Sequence, residues 1–403
     1  MEHYVARQPI LDSDQRVYAY ELLFRGGPEN VFNHSDFDEA SSRVIGEGAF
    51  GFGLDALVGE GLAFVNVTRE VLLRDTITLL PPKQTVVELL ETVEPDEDVV
   101  AMCRRLKASG YLIALDDFVP GVAMEPLVEV ADILKIDFLV MRGPERREIA
   151  AAYAPRGIRM LAEKVETHLD FQDAVRAGYA YFQGYFFAKP IVEVRHDIPA
   201  LKITYLRLLK EVNQPQLTFE GLEEIIKHDV SLSMKLLKYL NSAGFGWRHE
   251  IKSIRQALTL LGERPIRKWV SLVALSSLAG GKPAELIVTS LMRARLCESL
   301  AQHTGLRDSE LDLFLTGLLS AVDALVDRPL AEVLHEMALP EQVRRTLMGE
   351  PSKLQDVYKL VLSYERGDWE ETWSLMGRMD LGEDLLPGLY RQAVTFAHQL
   401  QKI

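Results

Sequence analysis

Three short apolar runs in the first half of the chain decide the fold: YLIALDD (111–117), ILKID (133–137) and IRMLAEKV (158–165). Each run is apolar along almost its whole length, which is typical of parallel strands that are covered on both faces. A stretch with helical spacing of its apolar residues, 145–154, separates the last two runs. The segment therefore predicts repeated strand–helix–strand units.

The same alternation continues on both sides of these runs. AFVNV (63–67) and TVVELL (85–90) precede them, AYFQGYFF (180–187) follows them, and residues 96–108 and 167–177 have helical spacing. Near the N-terminus, residues 12–15 are a predicted turn between two further short strands. Such an order is compatible with a (β/α)8 barrel, in which the carboxyl ends of the parallel strands open onto one mouth.

Polar side chains able to bind a metal or a ligand stand at the ends of nearly all these strands. From Asn66 onward they recur at intervals of about one β/α unit, and the series is Glu21, Asn66, Glu88, Asp116 with Asp117, Lys135 with Asp137, Glu163 with Glu166, and Gln183. A single acidic residue after a strand is more often a helix cap than a ligand. The regular recurrence instead favours one convergent site at the mouth of a barrel.

Length and composition bound the class of protein. With 403 residues, 48% of them hydrophobic and 26% charged, the chain is expected to form two or three folded domains. The two cysteines, Cys103 and Cys297, are far apart in sequence, which excludes a disulfide framework and a thiolate zinc site. No signal peptide and no apolar stretch approaching 18 residues is present, so the sequence predicts a cytoplasmic protein without a membrane span.

Nearly all of the formal net charge of −14 falls in the first 200 residues. Such an acidic half argues against a surface for nucleic-acid polymers. It leaves room for a phosphate ligand, because divalent cations invert the local field.

After Pro199 the apolar period changes to that of amphipathic helices, which continue to the end of the chain. We place the domain boundary between 197 and 198, which gives an α/β domain at 1–197 and an all-helical domain at 198–403. His228 and Asp229 stand at the start of a predicted helix, where Asp229 is expected to cap the helix and His228 is not expected to bind metal.

The first half resembles the EAL domain, which hydrolyses or binds cyclic di-GMP, and the second resembles the HDOD domain. The motifs occur in the family's order: QPILD (8–12), Glu21-Leu22-Leu23 in place of Glu-Ala-Leu, Asn66, Glu88, Asp116-Asp117-Phe118, Lys135-Ile136-Asp137, EKVET (163–167), Gln183-Gly184-Tyr185 with Pro190, and Asn241-Ser242. Together the two resemblances cover nearly the whole chain. They imply a TIM-like (β/α)8 barrel followed by an all-α HDOD domain.

The resemblance also implies a set of site residues. Glu21, Asn66, Glu88, Asp116, Asp117 and Glu163 would hold two divalent cations, Mg²⁺ or Mn²⁺, as suits oxygen ligands. Lys135 would orient the attacking water or stabilise the developing charge, and Glu166 would tether this region. Gln8, Arg25, Gln183 and Pro190 would contact the nucleotide. The implied reaction opens one phosphodiester of cyclic di-GMP and gives pGpG.

Two departures from the family pattern lie close to these residues. The triplet at 116–118 continues as Val119-Pro120-Gly121 rather than the usual glycine-rich loop, and Pro120 fixes φ and removes a backbone donor. Lys164 replaces a glycine and either pairs with Glu163 or points into solvent. The retained ligands favour a phosphodiesterase, whereas the altered loop favours a receptor that binds cyclic di-GMP without turnover, or a scaffold. A homodimer through the barrel is a further arrangement that the resemblance allows.

The second half has no metal dyad of the HD type where the resemblance would place it. The corresponding segment reads Gly317-Leu318-Leu319-Ser320-Ala321, and serine and alanine supply neither imidazole nor carboxylate. The tryptophans are expected in the core. The HDOD half is therefore interpreted as a regulatory or interaction module whose protein partner the sequence does not reveal.

Overall fold

A computed structural model describes residues 4–25, 54–59, 61–189, 200–214, 216–240, 251 and 253–401. The chain forms two compact units. The first combines residues 1–189 with residues 359–403, and the second comprises residues 190–358.

The first unit is a closed barrel of eight strands in sequence order. Strand β1 is antiparallel to both of its neighbours, and the other neighbouring strands are parallel to each other. The fold is therefore a TIM-like barrel in which one strand is reversed. The strands are β1 (Tyr4–Asp12), β2 (Val17–Arg25), β3 (Leu62–Val67), β4 (Thr85–Leu89), β5 (Leu112–Leu115), β6 (Ile133–Asp137), β7 (Arg159–Glu163) and β8 (Tyr181–Gln183). Each predicted strand is thus confirmed, although the last run is shorter than expected because Tyr185–Ala188 is a 3₁₀ helix.

Helices follow the strands, make up most of the described part of the second unit and continue into the C-terminal part of the first unit from residue 359. Along residues 54–189 they are α1 (Leu54–Val58), α2 (Arg69–Leu73), α3 (Glu97–Ala108), α4 (Glu125–Val128), α5 (Gly143–Tyr153) and α6 (His168–Ala177). They continue as α7 (Ala200–Val212), α8 (Phe219–Lys227), α9 (Val230–Leu240), α10 (Ile254–Leu261), α11 (Glu263–Leu278), α12 (Ala284–Leu300), α13 (Glu310–Leu318), α14 (Val322–Val326), α15 (Leu330–Glu336), α16 (Glu341–Leu347), α17 (Gln355–Arg366), α18 (Trp369–Arg378) and α19 (Leu385–Gln401).

One buried layer of side chains fills the barrel, and each strand contributes one residue to it. The layer comprises Ile10, Ala19, Phe64, Val86, Ala114, Ile133, Leu161 and Tyr181. Tyr18 stacks on Tyr181 with ring centroids 3.9 Å apart. The layer closes the barrel interior beneath the carboxyl ends of the parallel strands, so the residues beyond it lie above an apolar floor.

The second unit confirms the helical character of this part of the chain. Asp229 caps α9 as expected, because its Oδ1 accepts a hydrogen bond of 3.0 Å from the backbone N–H of Leu232, while His228 is exposed. Trp269 is buried, and Trp247 lies outside the described residues. Among the described helices, none is both long enough and apolar enough to span a membrane.

The last helices of the chain pack on the barrel, which differs from the expected boundary at residues 197–198 with a single helical domain up to 403. The physical reason is an aromatic cluster on β1. The ring of Tyr4 lies 6.2 Å from that of Tyr364 and 5.9 Å from that of Trp369, and its hydroxyl donates a hydrogen bond of 2.6 Å to the carbonyl of Glu383. Tyr4 and Tyr364 are fully buried. The C-terminal segment 359–401 is therefore part of the barrel's core.

Tyr364→Ala tests this packing. Removing a fully buried ring should destabilise the barrel unit by about 3–5 kcal/mol, whereas Tyr364→Phe, which keeps the ring, should cost less than about 1 kcal/mol. Denaturant unfolding measures the free energy, and hydrogen exchange of peptides from β1 should speed up in Tyr364→Ala alone. Unchanged protection of β1 in Tyr364→Ala would contradict the assignment of the segment to the barrel.

Candidate functional site

The period of two in β-strands places eight polar side chains in one ring. Successive side chains of a strand point to opposite faces, so a residue two positions from the apolar layer points into the barrel as well. Moving two residues from the layer towards the mouth on each strand leads to Gln8, Glu21, Asn66, Glu88, Asp116, Lys135, Glu163 and Gln183. We call these eight residues the polar ring. All eight are among the residues that the sequence nominated.

Lys135 lies at the centre of the polar ring. Its Nζ is 2.9 Å from Asp116 Oδ1, 2.9 Å from Glu163 Oε1 and 3.3 Å from Glu21 Oε2. It also donates a hydrogen bond to Glu88 Oε1. The Lys135 side chain is only 1% exposed, so one ammonium group contacts four carboxylates away from bulk water.

Hydrogen bonds join the remaining members of the ring to Glu21. Asn66 Nδ2 donates to Glu21 Oε1 at 3.2 Å, and Gln183 Nε2 donates to Glu21 Oε2 at 2.8 Å. Gln183 Nε2 also lies 3.0 Å from Gln8 Oε1, which accepts from it. Contacts between side chains thus connect all eight members of the ring.

Burial and mutual repulsion shift the ionisation of the ring. Burial raises the pKa of Glu88 well above its ordinary value, and the charge of Glu21 adds to the rise against the opposing effect of Lys135. Burial likewise raises the pKa of Glu163 to about 7. Burial disfavours the charged form of Lys135, but the surrounding carboxylates, Glu163 first, outweigh it and hold its pKa well above the ordinary value. Four carboxylates thus surround one ammonium group, and burial together with their mutual repulsion opposes the ionisation of Glu88 and Glu163.

Several oxygens of the ring have no hydrogen-bond partner among the described residues. They are buried and belong to four side chains: Asn66 Oδ1, Glu88 Oε2, Glu163 Oε2 and Gln183 Oε1. One oxygen from each of Asp116, Asp117 and Glu163 lies within 4.8 Å of the other two. Buried polar atoms are normally satisfied, so unpaired carboxylate oxygens at this density suit a cation as their missing partner.

Asp117 and Lys164 stand beside the ring in strained backbone conformations. Their φ angles are +39° and +53°, in the left-handed region that favours glycine. Lys164 does not pair with Glu163. Its ammonium bonds to Asp137 and lies 3.8 Å from Asp117 Oδ1. The positive φ gives a physical reason for the glycine at this position in the motif of the family that the sequence resembles.

The ends of β7 and β8 are locked together behind this pair. Val165 N donates to the carbonyl of Gln183 at 2.9 Å, and Phe186 N donates to the carbonyl of Val165 at 3.2 Å. Gly184, with φ of +143°, lies so close that a Cβ there would overlap the Val165 backbone. The two strand ends consequently hold Glu163 and Gln183 on the same side of the ring.

Of the other nominated residues, Glu166 is not brought into the ring. Glu166 is exposed, and its carboxylate lies 3.4 Å from the ammonium of Lys189, because Val165 takes the inward position at the end of β7. Arg25 ends β2, but its side chain lies outside the described residues, as does the whole of Pro190. Sequence reasoning missed the ion pair of Lys164 with Asp137, since a lysine that follows a strand gives no signal of the direction in which it points.

Comparison with known proteins shows the family of the chain. The EAL domain family matches residues 63–190 and the HDOD domain family matches residues 198–348. The uncharacterized protein YuxH of Bacillus subtilis is 35% identical over 408 residues, covering 99% of each chain. The cyclic di-GMP phosphodiesterase CdgJ of Vibrio cholerae is 35% identical over 370 residues, covering 91% of this chain and 86% of that one. This chain belongs to the EAL–HDOD family.

Solved structures of EAL proteins resemble part of the chain. An EAL domain protein from Listeria monocytogenes is 21% identical with a TM-score of 0.38, covering 46% of this chain and 87% of its own. A standalone EAL protein from Vibrio cholerae, in its c-di-GMP-bound form, is 24% identical with a TM-score of 0.36, covering 47% and 92%.

Two parts of the barrel unit lie outside the matched EAL range. Strands β1 and β2, which supply Gln8 and Glu21 to the ring, precede residue 63, and residues 349–403 follow both matched ranges. In the HDOD domain, Ser320 stands where the resemblance would place a histidine. Its Oγ accepts a hydrogen bond of 3.0 Å from the buried Arg293 guanidinium. Among the described residues, one group of three metal-binding side chains lies in the EAL domain, Asp116, Asp117 and Glu163, and none lies in the HDOD domain.

Lys135→Met tests the charge balance of the ring. Removing one partner from a buried ionic cluster should lower the free energy of unfolding by about 3–5 kcal/mol, because four carboxylates lose their shared counter-charge. Lys189→Met removes an equal charge from the exposed pair with Glu166 and should cost less than about 1 kcal/mol. Urea unfolding in the presence of EDTA gives both values. Equal losses in the two variants would be inconsistent with a buried cluster at Lys135.

Proposed function

We propose that the EAL barrel hydrolyses one phosphodiester bond of cyclic di-GMP to give pGpG in a reaction that depends on divalent cations. The observation that carries the proposal is the polar ring, in which three buried carboxylates and the partly buried Asp116 share one ammonium group. The similarity to CdgJ, named as a cyclic di-GMP phosphodiesterase, supports the choice of substrate.

The donor set of the ring fits Mg²⁺ or Mn²⁺. Glu21, Asn66, Glu88 and Asp116 would hold one cation, and Asp117 with Glu163 would contribute to a second, as suits oxygen ligands for hard cations. Bound cations lower the pKa of a coordinated water and neutralise charge on phosphoryl oxygens. The unpartnered oxygens of Glu88 and Glu163 support this assignment, since each has an open position for a ligand bond.

The other residues of the mouth have roles in binding and positioning. Lys135, fixed by its carboxylates, would orient the attacking water and stabilise charge that develops on the phosphate. Gln183 and Gln8 would donate and accept hydrogen bonds to the nucleotide, and Arg25 offers a forked donor to a phosphate. Pro190 and Glu166 complete the set that the family resemblance nominates, with Glu166 assigned as a tether that acts from outside the ring.

A receptor that binds cyclic di-GMP without turnover is the second candidate, and the position of Lys164 favours it. Its ammonium lies 3.8 Å from Asp117, the residue assigned to the second cation. A positive charge at this distance competes with a cation for the same carboxylate. The altered loop after Phe118 begins with exposed Val119 and includes the almost fully exposed Val122, so these two side chains contribute little packing beside Asp117.

We assign the HDOD domain a regulatory or interaction role, with a protein as the expected partner. One observation argues against catalysis by this domain, and another supports a packed helical module. Ser320 replaces the histidine of a working HD site, and the described helices bury a continuous apolar core. Pairing of two EAL barrels into a homodimer remains part of the proposal and is testable by the mass of the protein in solution.

Glu163→Gln compared with Glu166→Gln tests the enzyme. With Mn²⁺ and cyclic di-GMP, the wild type should produce pGpG, and Glu163→Gln should lower the rate at least about 100-fold because it removes a ligand charge. Glu166→Gln should lower it far less, since this side chain is exposed and outside the ring. Product is followed by chromatography and cation affinity by calorimetry. If the wild type produces no pGpG with Mn²⁺ or with Mg²⁺, the proposal that the barrel is an enzyme is wrong.

Lys164→Gly and Lys164→Asn test the competing charge. Both remove the ammonium near Asp117, and both residue types accept a positive φ, so Mn²⁺ should bind roughly fivefold more tightly to each variant. Calorimetric titration gives the affinities. Tighter binding by Lys164→Gly alone would point to backbone strain as the cause, and no change in either would dismiss competition. If the wild type does not hydrolyse cyclic di-GMP but one of these variants does, the wild type is better described as a receptor that Lys164 keeps inactive.

A further inference from the structure

The C-terminal segment 359–401 reaches the barrel beside the polar ring. Gly367, with φ of +69°, follows α17 directly, and a Cβ at this position would lie 2.8 Å from Leu23 Cδ1 on β2. Buried Tyr364 and Trp369 flank this turn on both sides. The backbone around Arg366 is therefore fixed against the first two strands.

Hydrogen bonds connect Arg366 to the ring. Its carbonyl accepts a bond of 3.2 Å from Gln8 Nε2, and Gln8 Oε1 accepts from Gln183 Nε2 at 3.0 Å. Gln183 in turn donates to Glu21. Gln8 uses both ends of its amide and so bridges the C-terminal segment and the site.

The guanidinium of Arg366 faces the mouth of the barrel. Its central carbon lies 5.7 Å from the ring centroid of Tyr185, which follows Gln183 by two residues at the end of β8. Arg366 is exposed, and within the described part of the chain no carboxylate lies within ion-pair distance of it. A cation–π contact with an aromatic ring leaves the N–H donors of the guanidinium open for another partner.

Three other described cations near the mouth are neutralised by carboxylates. Lys135 contacts four of them, Lys164 pairs with Asp137, and Lys189 pairs with Glu166. Arg366 differs from these three lysines, because its guanidinium contacts an aromatic ring and, among the described residues, no carboxylate. A guanidinium with open donors at the rim of an acidic site is suited to a phosphate that does not enter the ring.

We propose that Arg366 binds the phosphate of the cyclic dinucleotide that is not cleaved. The inference rests on the proposed function, because a cyclic dinucleotide carries two phosphodiesters and only one can lie over the polar ring. The second keeps its negative charge and needs a cation at the rim. Residues beyond both matched domains then complete the substrate site, and the segment after the HDOD domain contributes directly to binding.

The test compares full-length Arg366→Ala and Arg366→Lys with Arg16→Ala. Arg16 is exposed in the turn between β1 and β2, at the opposite end of the barrel, and its removal changes the net charge by the same amount. Steady-state kinetics with cyclic di-GMP should show KM raised about tenfold in Arg366→Ala with kcat reduced less than about threefold. Arg366→Lys should be intermediate, because lysine keeps the charge but loses the fork. Arg16→Ala should match the wild type.

A substrate with one phosphodiester separates this role from a general one. The ratio of kcat/KM for cyclic di-GMP to that for bis(p-nitrophenyl) phosphate should fall about tenfold in Arg366→Ala. Equal melting temperatures exclude misfolding as the cause. If the protein binds cyclic di-GMP without cleaving it, Kd by calorimetry should show the same tenfold change.

Each other outcome overturns one idea or both. If the wild type cleaves or binds cyclic di-GMP and Arg366→Ala does so with unchanged KM or Kd, the role of Arg366 is wrong and the proposed function stands. An equal loss in Arg16→Ala would reduce the effect to net charge and overturn the role as well. If the wild type neither binds nor cleaves cyclic di-GMP, both the function and the role of Arg366 are wrong.

Discussion

The site depends on the alternation of side chains in a closed barrel. Each strand gives one residue to the apolar layer and, two positions closer to the mouth, one to the polar ring. The apolar layer and the polar ring are therefore fixed by the same strand positions. The layer keeps water from the floor of the site, and this dryness gives Lys135 and its carboxylates their strong mutual effect. A shift of one residue in the register of any strand would turn its ring member away from the site.

The charged side chains of the polar ring contribute little to the stability of the barrel. A buried ion pair contributes little after desolvation, and here four carboxylates surround a single ammonium, with Glu88 fully buried. An apolar ring of equal volume would give a more stable barrel. Retaining such a cluster is expected where function needs preorganised ligands, because conformational strain and unsatisfied charge collect at functional sites. The positive φ angles of Asp117 and Lys164 beside the ring fit the same interpretation.

Sequence predicted the ring well because its signal is local. An apolar run indicates a strand, and the inward-facing polar residue within the last positions of the run lies at the mouth, as for Asn66, Glu88 and Lys135. Residues beyond the strand end were less predictable. Glu166 is only three positions after Glu163, but the loop turns there and its side chain points to solvent. The sequence allowed two orientations of the Lys164 side chain. The choice between them depends on a positive φ, which lysine disfavours and the sequence therefore does not indicate.

The packing of residues 359–401 could not be predicted because its signal is not local. The helices were expected from their period. An amphipathic pattern shows that a helix packs against another element, but it does not identify that element. Tyr4 and Tyr364 meet across 360 positions of sequence, and only the folded chain brings them together. Synthesis from the N-terminus makes this a constraint on folding too. Tyr4 lies on β1, yet its aromatic partners are made after the HDOD domain, so β1 stays incompletely buried until those partners have been synthesised. The barrel unit is thus completed by a segment that follows the HDOD domain, and the same segment holds Arg366 beside Gln8.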